Sequence, residues 1–517
     1  MSRSKRFVSG VTLSYAYTAL VMLVGLWLTP FLLRQIGQHD YGLWLVGTQV
    51  LSYLMMMDFG IVGLLPRETA YAMGRAGGVI ERATDLSHVI GETVCVVLYQ
   101  MPLVIVAVVL VWFLMPQAWY GVRGPITISL AAFTIMFPLR IFQAVLEGLQ
   151  DLKFIGRLQI FNWFTSTAIM VGLVLLGFRL YALAIGWSLA QLMAGGVVLY
   201  RVKRHFPSAW PNHLPRLSLR RLYDRFSRGF LLCVSQLATP LVFGSDVLVI
   251  GRIFGPSMVV PYSCTAKLVN VLSQQPHLIM QAAVPGLSEL KAGESREHIF
   301  RATTALSQAM LMLTGLVACV TLMVNRGFVG WWVGKGQYAG AELTILFVVV
   351  LLLRHWCTTA VYTNFCFGYE RRTTVAMLLD GVVTLTASVL LVRRFGLIGA
   401  PLGSIVGLCA GSLPLNLFTL GRELGKNLVG LVKPLYPWFW RFLILAGAAA
   451  WLGRLLGSLN FFQLAAVSVL TTLVYAIVMY YPVRYSVLGG YLQPRFATLS
   501  EKVWMPNRLR ALVRSAV

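Results

Sequence analysis

Apolar residues along the chain gather into long runs separated by short polar connections. The runs lie near residues 10–33, 41–65, 87–114, 125–146, 155–177, 180–200, 229–251, 259–287, 303–324, 341–367, 374–392, 397–420, 438–456 and 460–482. Most hold about 20 residues or more, enough for a helix rising 1.5 Å per residue to cross a hydrocarbon core of about 30 Å. The pattern predicts an all-α polytopic membrane protein with about 14 transmembrane helices. Composition agrees: 58% of the 517 residues are apolar and 12% are charged, far from the balance of a soluble domain. A soluble enzyme, a secreted disulfide scaffold and a disordered chain are thereby excluded.

The net charge of +25 raises the question of a nucleic-acid partner, and the placement of the charges answers it. Most of the 43 lysines and arginines fall in the even-numbered connections and at the two ends of the chain. Cytoplasmic connections carry such an excess, so both termini are expected in the cytoplasm and no nucleic-acid binding is expected. The start, Met1-Ser2-Arg3-Ser4-Lys5-Arg6, has the charge of a signal peptide, but the apolar run behind it is too long for one and reads as an uncleaved first span. The seven cysteines sit in or beside apolar runs without a CxxC pair, as small buried hydrophobes rather than metal ligands or disulfide partners.

Two halves of the chain repeat. Gly10, Gly37, Gly148 and Gly186 recur as Gly229, Gly255, Gly368 and Gly403, at offsets between 217 and 220 residues. Six spans per copy is an even number, so the copies share one orientation and form a parallel repeat. The expected organisation is an N-terminal lobe over 1–200, a basic cytoplasmic linker over 201–228 and a C-terminal lobe over 229–420. Two additional spans over 421–483 and a basic cytoplasmic tail over 484–517 complete it.

Polar groups inside spans are costly, so they mark a watery path or a partner. In the eighth span Ser263, Lys267, Asn270, Gln274, His277, Gln281 and Ser288 share one helical face. Pro276 and Pro285 are expected to bend this helix. Asp246 lies on one face of the seventh span with Gln236 and Thr239. Arg140, Gln143 and Glu147 share a face of the fourth, where Arg140 and Glu147 are spaced to pair within the helix. Arg354 lies about 20 Å into the tenth span beside His355, a candidate proton site. Asp58 precedes Phe59-Gly60 near the end of the second, suited either to a coupling cation or to breaking the helix. No Walker loop, nucleophile elbow or HExxH motif is present, and the outer connections are too short for a catalytic domain, so neither a catalytic residue, a metal nor a cofactor is expected.

Several stretches resemble Wzx-type polysaccharide flippases of the multidrug/oligosaccharidyl-lipid/polysaccharide exporter superfamily. They are Gly37-Gln38-His39-Asp40-Tyr41-Gly42-Leu43-Trp44, Asp58-Phe59-Gly60-Ile61 and Arg67-Glu68-Thr69-Ala70. Ala266-Lys267-Leu268 with Pro276 and Pro285, and Val333-Gly334-Lys335-Gly336-Gln337-Tyr338-Ala339, continue the resemblance to about residue 420. The resemblance implies two six-helix lobes working by alternating access in the bacterial inner membrane. It implies a sugar chain on a polyprenyl pyrophosphate as the substrate, turned over from the cytoplasmic to the periplasmic leaflet for cell-surface polysaccharide such as O-antigen or exopolysaccharide. A cation at mid-membrane offsets the cost of carrying pyrophosphate through a low-dielectric region, which points to Lys267, then Arg140 and Arg354. Asn270, Gln274 and Gln281 are candidates to bind sugar hydroxyls, and Asp58, Asp246 and His277 to carry a coupling proton or sodium ion. The partners expected are the lipid-linked oligosaccharide, membrane lipids and polysaccharide-assembly proteins. A cation- or proton-coupled drug antiporter of the same superfamily is the second reading; it favours an acidic, aromatic cavity, against the basic residues found here.

Overall fold

The computed structural model describes residues 3–76, 84–211, 215, 233–234, 236–242, 244–273, 276, 280, 283–284, 287–291, 295–457 and 459–491, and for residues 3–19, 84 and 118 the backbone alone. Helix is the only regular secondary structure among the described residues. The chain divides into two compact units, Met1–Val260 and Pro261–Val517.

The first unit holds α1 (Arg3–Ile36), α2 (Gln38–Leu54), α3 (Ile61–Arg75), α4 (Thr84–Phe113), α5 (Arg123–Gly148), α6 (Leu152–Leu175), α7 (Arg179–His205) and α8 (Ser245–Ile253). The single span expected over 41–65 is two helices. Asp58, Phe59 at φ 50° and Gly60 at φ 73° interrupt the helical path, and the two positive φ angles carry the chain out of it. The helix then restarts at Ile61, which the apolar run could not reveal.

The boundary at Val260 falls within α9 (Pro256–Leu272). The second unit continues with α10 (Arg296–Trp332), α11 (Ala341–Cys366), α12 (Glu370–Phe395), α13 (Gly399–Ala410), α14 (Ser412–Leu424), α15 (Leu428–Val432), α16 (Tyr436–Leu455) and α17 (Phe461–Arg484). The span expected over 397–420 is likewise divided, at Gly411, where φ is −109° and ψ −90°.

Glycines at 399, 403, 407 and 411, four residues apart, lay one face of this region against α12. A Cβ at Gly403 would meet the Ser388 backbone, and one at Gly407 would meet Asp380 O and Thr384 N. Backbones approach this closely only where small residues line the contact, the usual means of packing helices when lipid supplies no hydrophobic drive.

The two additional helices, α16 and α17, seat on α10 through Trp438, Phe442 and Tyr475, packed over Leu311 and Met312. The Tyr475 hydroxyl donates to Met312 O at 2.7 Å, and Trp438 Nε1 donates to Tyr475 Oη at 3.1 Å, so the buried aromatics keep their polar ends satisfied.

Nine helices among the described residues are long and apolar enough to cross a membrane; counting the pair Gln236–Val242 and Ser245–Ile253, bent by 46°, makes ten. The protein is therefore a multi-pass membrane protein. The difference from the fourteen apolar runs arises where a run is broken, as at Asp58–Gly60, lies partly outside the described residues, as over 259–287, or is counted with its neighbour, as 374–392 and 397–420 are within Glu370–Leu424.

Candidate functional site

Asp58 and Arg140 meet at the break between α2 and α3. Arg140 Nη2 lies 3.5 Å from Asp58 Oδ2, with the Asp58 side chain 2% exposed. Arg140 Nη1 donates to Met55 O at 2.7 Å, one of the carbonyls left open at the end of α2. Asp58 Oδ1 accepts the Gly60 N–H at 3.1 Å, and Gln100 Nε2 from α4 donates to Asp58 O at 3.3 Å. The expected Arg140–Glu147 pairing is replaced: Glu147 accepts instead from Gln143 at 3.2 Å, because Arg140 is drawn to the open carbonyl and carboxylate of the break.

Lys267 has a different environment. On α9, Val260, Cys264, Thr265, Ala266 and Val269 are buried, whereas Ser263 and Lys267 are half-buried and Asn270 is exposed. The described part of the polar face, Ser263, Lys267 and Asn270, is thus at least partly open, as are Leu268, Val271 and Leu272 at this end of the helix. No acidic side chain among the described residues forms an ion pair with Lys267.

The opposite side of α9 is anchored at Thr265. Its carbonyl accepts Asn325 Nδ2 from α10 at 3.0 Å, and its hydroxyl accepts the Ala339 N–H at 2.9 Å. Asn325 Nδ2 also donates to Thr344 Oγ1 at 3.1 Å, and Tyr338 Oη lies 3.1 Å from that same oxygen. Burial pushes the Tyr338 hydroxyl above its ordinary range, against the lowering effect of its hydrogen bond with Thr344. The residues of the Gly334–Ala339 motif therefore clamp α9 so that Lys267 turns away from the clamp. An asparagine inside an apolar run was the available sign of this network.

Arg354 lies in a buried pair. Its Nη1 is 3.0 Å from Asp380 Oδ2 on α12, with side chains 10% and 2% exposed. Asp380 Oδ1 also accepts the Thr384 hydroxyl at 3.1 Å. The sequence reading placed Arg354 but passed over its partner; an aspartate within a run, four residues before a threonine, was the signal. His355 Nδ1 lies 2.7 Å from the Thr314 hydroxyl in the interior between α10 and α11.

Asp246, in the first turn of α8, is within electrostatic reach of the Tyr53 hydroxyl, which donates to Pro240 O at 2.9 Å. Gln274, His277, Gln281 and Pro285 lie outside the described residues. The structure thus brings Asp58 to Arg140 and Arg354 to Asp380, and turns Lys267 and Asn270 to the open face of α9.

The Gly37–Gly42 motif has a local task. Gln38 Nε2 donates to Ser257 O at 2.8 Å, His39 Nδ1 lies 3.2 Å from Ser257 Oγ, and Gly42 leaves room for the Pro256 carbonyl. Arg179 Nη2 holds Asp40 at 2.8 Å.

The fold is shared with membrane transporters. The structure titled lipid II flippase MurJ, inward closed conformation, superposes with a TM-score of 0.55 at 11% identity, covering 86% of this chain and 98% of that one. The MATE multidrug transporter DinF-BH in complex with R6G gives 0.52 at 15% identity, covering 83% and 95%. A MATE structure in complex with MaD3S gives 0.51 at 13% identity, covering 82% and 96%. No curated protein matches the chain. A family model described as polysaccharide biosynthesis protein matches residues 7–291, which include the α2–α3 break, its Arg140 latch and Lys267. By that match, over more than half of its length, the chain belongs to the polysaccharide biosynthesis protein family.

Proposed function

We propose that the protein is a Wzx-type flippase that carries a polyprenyl-pyrophosphate-linked oligosaccharide from the cytoplasmic to the periplasmic leaflet of the bacterial inner membrane. It works by alternating access, without a covalent step, and serves a cell-surface polysaccharide such as O-antigen or exopolysaccharide. The family match carries this reading, and the fold shared with a lipid II flippase supports it. Both termini are cytoplasmic, from the placement of the basic residues, and fourteen helices form two six-helix lobes and an added pair.

Lys267 is the substrate cation. It stands on the open face of α9 with no ion-pair partner among the described residues, so a pyrophosphate has no carboxylate to displace there. Asn270, with Gln274 and Gln281 at the same spacing further along the sequence, are our candidates for binding sugar hydroxyls. Arg140 and Arg354 are already engaged by Asp58 and Asp380, which places them second as substrate ligands. Asp58, Asp246 and His277 are the residues for proton or sodium coupling.

The test is translocation in liposomes loaded with a polyprenyl-pyrophosphate sugar in one leaflet. Wild-type protein is expected to move it, Lys267→Ala to slow it at least about tenfold, and Lys267→Arg to retain most of the rate. Collapsing the proton or sodium gradient identifies the coupling ion. Gradient-driven export of cationic dyes with no movement of the glycolipid would overturn this reading in favour of the drug antiporter.

A further inference from the structure

A cavity of about 480 Å3 opens in the second unit, away from Lys267, among the C-terminal ends of α10 and α16 and the start of α11. Its volume is within the roughly 300–1,000 Å3 of small-molecule sites. Its polar wall consists of Arg326, Arg454, Glu342, Tyr338 and Thr344. Two arginines against one glutamate leave a net positive charge.

The arginines are held in place with donors to spare. Arg326 Nη1 is spent on the Arg454 carbonyl at 2.8 Å, which fixes the end of α16 to α10. Gly453 makes that approach close, since a Cβ there would strike the Leu322 carbonyl. The remaining guanidinium groups of Arg326 and the fork of Arg454 face the cavity, where Arg454 Nη2 stands 3.9 Å from Glu342 Oε1. At that length the pair is a weak one between exposed groups, and Arg454 can turn to a better anion. The α11 start beside it, at Ala341 and Glu342, has no side-chain cap, and its open N–H groups oppose the negative C-terminal ends of α10 and α16, leaving the arginines as the main source of positive charge.

The position of the cavity near the end of the bundle bears on the source of the anion. Trp331 is 48% exposed and Phe461 55% exposed, and their rings lie 5.4 Å apart at the same end of the bundle. Exposed aromatics of this kind mark the level of lipid headgroups. A basic pocket between helices at that level has the chemistry of a phosphate-ester site.

We propose that Arg326 and Arg454 form a binding site for the phosphodiester headgroup of a membrane phospholipid, closed on one side by α16. The site is separate from the Lys267 face and does not depend on the identity of the transported substrate. Bound lipid would hold α16 against α10 and α11.

Native mass spectrometry and thermal unfolding of the full-length protein test the proposal. Delipidated protein is titrated with phosphatidylglycerol, and separately with soluble glycerol 3-phosphate. Wild type is expected to retain phosphatidylglycerol and to gain thermal stability. The Arg326→Gln/Arg454→Gln variant is expected to lose retention by about tenfold or more. Ala450→Phe keeps both arginines and fills the cavity wall, and it should also lose the lipid; unfolding temperatures of the lipid-free variants near that of lipid-free wild type separate a lost site from a misfolded protein. Stabilisation by glycerol 3-phosphate alone would keep the phosphate-ester site and place its ligand in solution. Equal lipid retention by wild type and both variants overturns the proposal.

Discussion

Nη1 of Arg354 on α11 lies 3.0 Å from Oδ2 of Asp380 on α12, in the most deeply buried ion pair among the described residues. Asp380 Oδ1 takes the Thr384 hydroxyl as well, so both carboxylate oxygens are engaged. The same stretch of α12 meets the glycine face of 399–411, where Gly407 and Gly411 lie against the Asp380 backbone.

Removing Arg354 therefore strands a buried carboxylate. Arg354→Ala is expected to destabilise the protein by about 3–5 kcal/mol, whereas Arg354→Met/Asp380→Leu removes both charges and should recover most of that loss. Thermal unfolding in detergent measures both. If translocation by the folded double variant stays near wild type, Arg354 serves structure; if it collapses while stability returns, Arg354 contacts substrate.

Asp58 and Arg140 are coupled through the α2–α3 break rather than through a single contact. Asp58→Asn and Arg140→Gln should each destabilise the protein, and their combination should cost less than the sum by about 0.5–3 kcal/mol. A double-mutant cycle on thermal stability reads this directly. Strict additivity would mean that the two side chains act independently.

These two pairs show what the sequence discloses and where it stops. The intramembrane charges were visible because an ionised group in an apolar run stands out at once. Their partners were not, since Asp58 meets Arg140 across 82 residues and only a folded chain places them together. Apolar periodicity located nearly every helix but not the breaks, which are set by backbone angles and leave hydrophobicity unchanged; the one near 58–60 was marked only by Asp58 ahead of Phe59-Gly60, and the one at 411 by nothing. The open face of α9 was legible because a polar stripe has a helical period. The Thr265–Asn325–Tyr338–Thr344 clamp behind it joins single residues from four segments and has no period to read.

The glycine face on α13 makes a sharper demand on volume. Gly403→Val would drive its side chain into the Ser388 backbone and Gly407→Val into Asp380 and Thr384. Each should lower stability by at least about 1–3 kcal/mol, the range for forcing extra volume into a packed interface. Gly172→Ala is the control, since a Cβ there meets nothing within 4 Å. Monodispersity in detergent and unfolding temperature distinguish the three; equal behaviour would rule out the close approach.

Positive-φ corners recur between the two halves of the chain. Gly37 and Gly255, Gln150 and Gly368, and Gly177 and Gly396 stand 218, 218 and 219 residues apart, and every one has φ between 59° and 88°. The partner of Gly368 is thus Gln150, not the nearby Gly148, whose role is to admit the Pro66 carbonyl and Thr69. At these corresponding corners the positive φ is held by Gln150 in one half and by Gly368 in the other. Gln150 carries the steric cost of the left-handed region, about 1–2 kcal/mol for an L-residue, while exposed to solvent. Gln150→Gly should consequently be neutral to stabilising, by up to about 1 kcal/mol after the loss in unfolded-chain entropy is set against the relief. Gly368→Ala should destabilise by about 1–2 kcal/mol at the corresponding corner, where space is open and only the φ of 86° opposes a side chain. Opposite signs at these two positions, measured by thermal unfolding, are the outcome expected if both corners hold a positive φ. A stabilising Gly368→Ala would show that the second corner does not hold the left-handed angle.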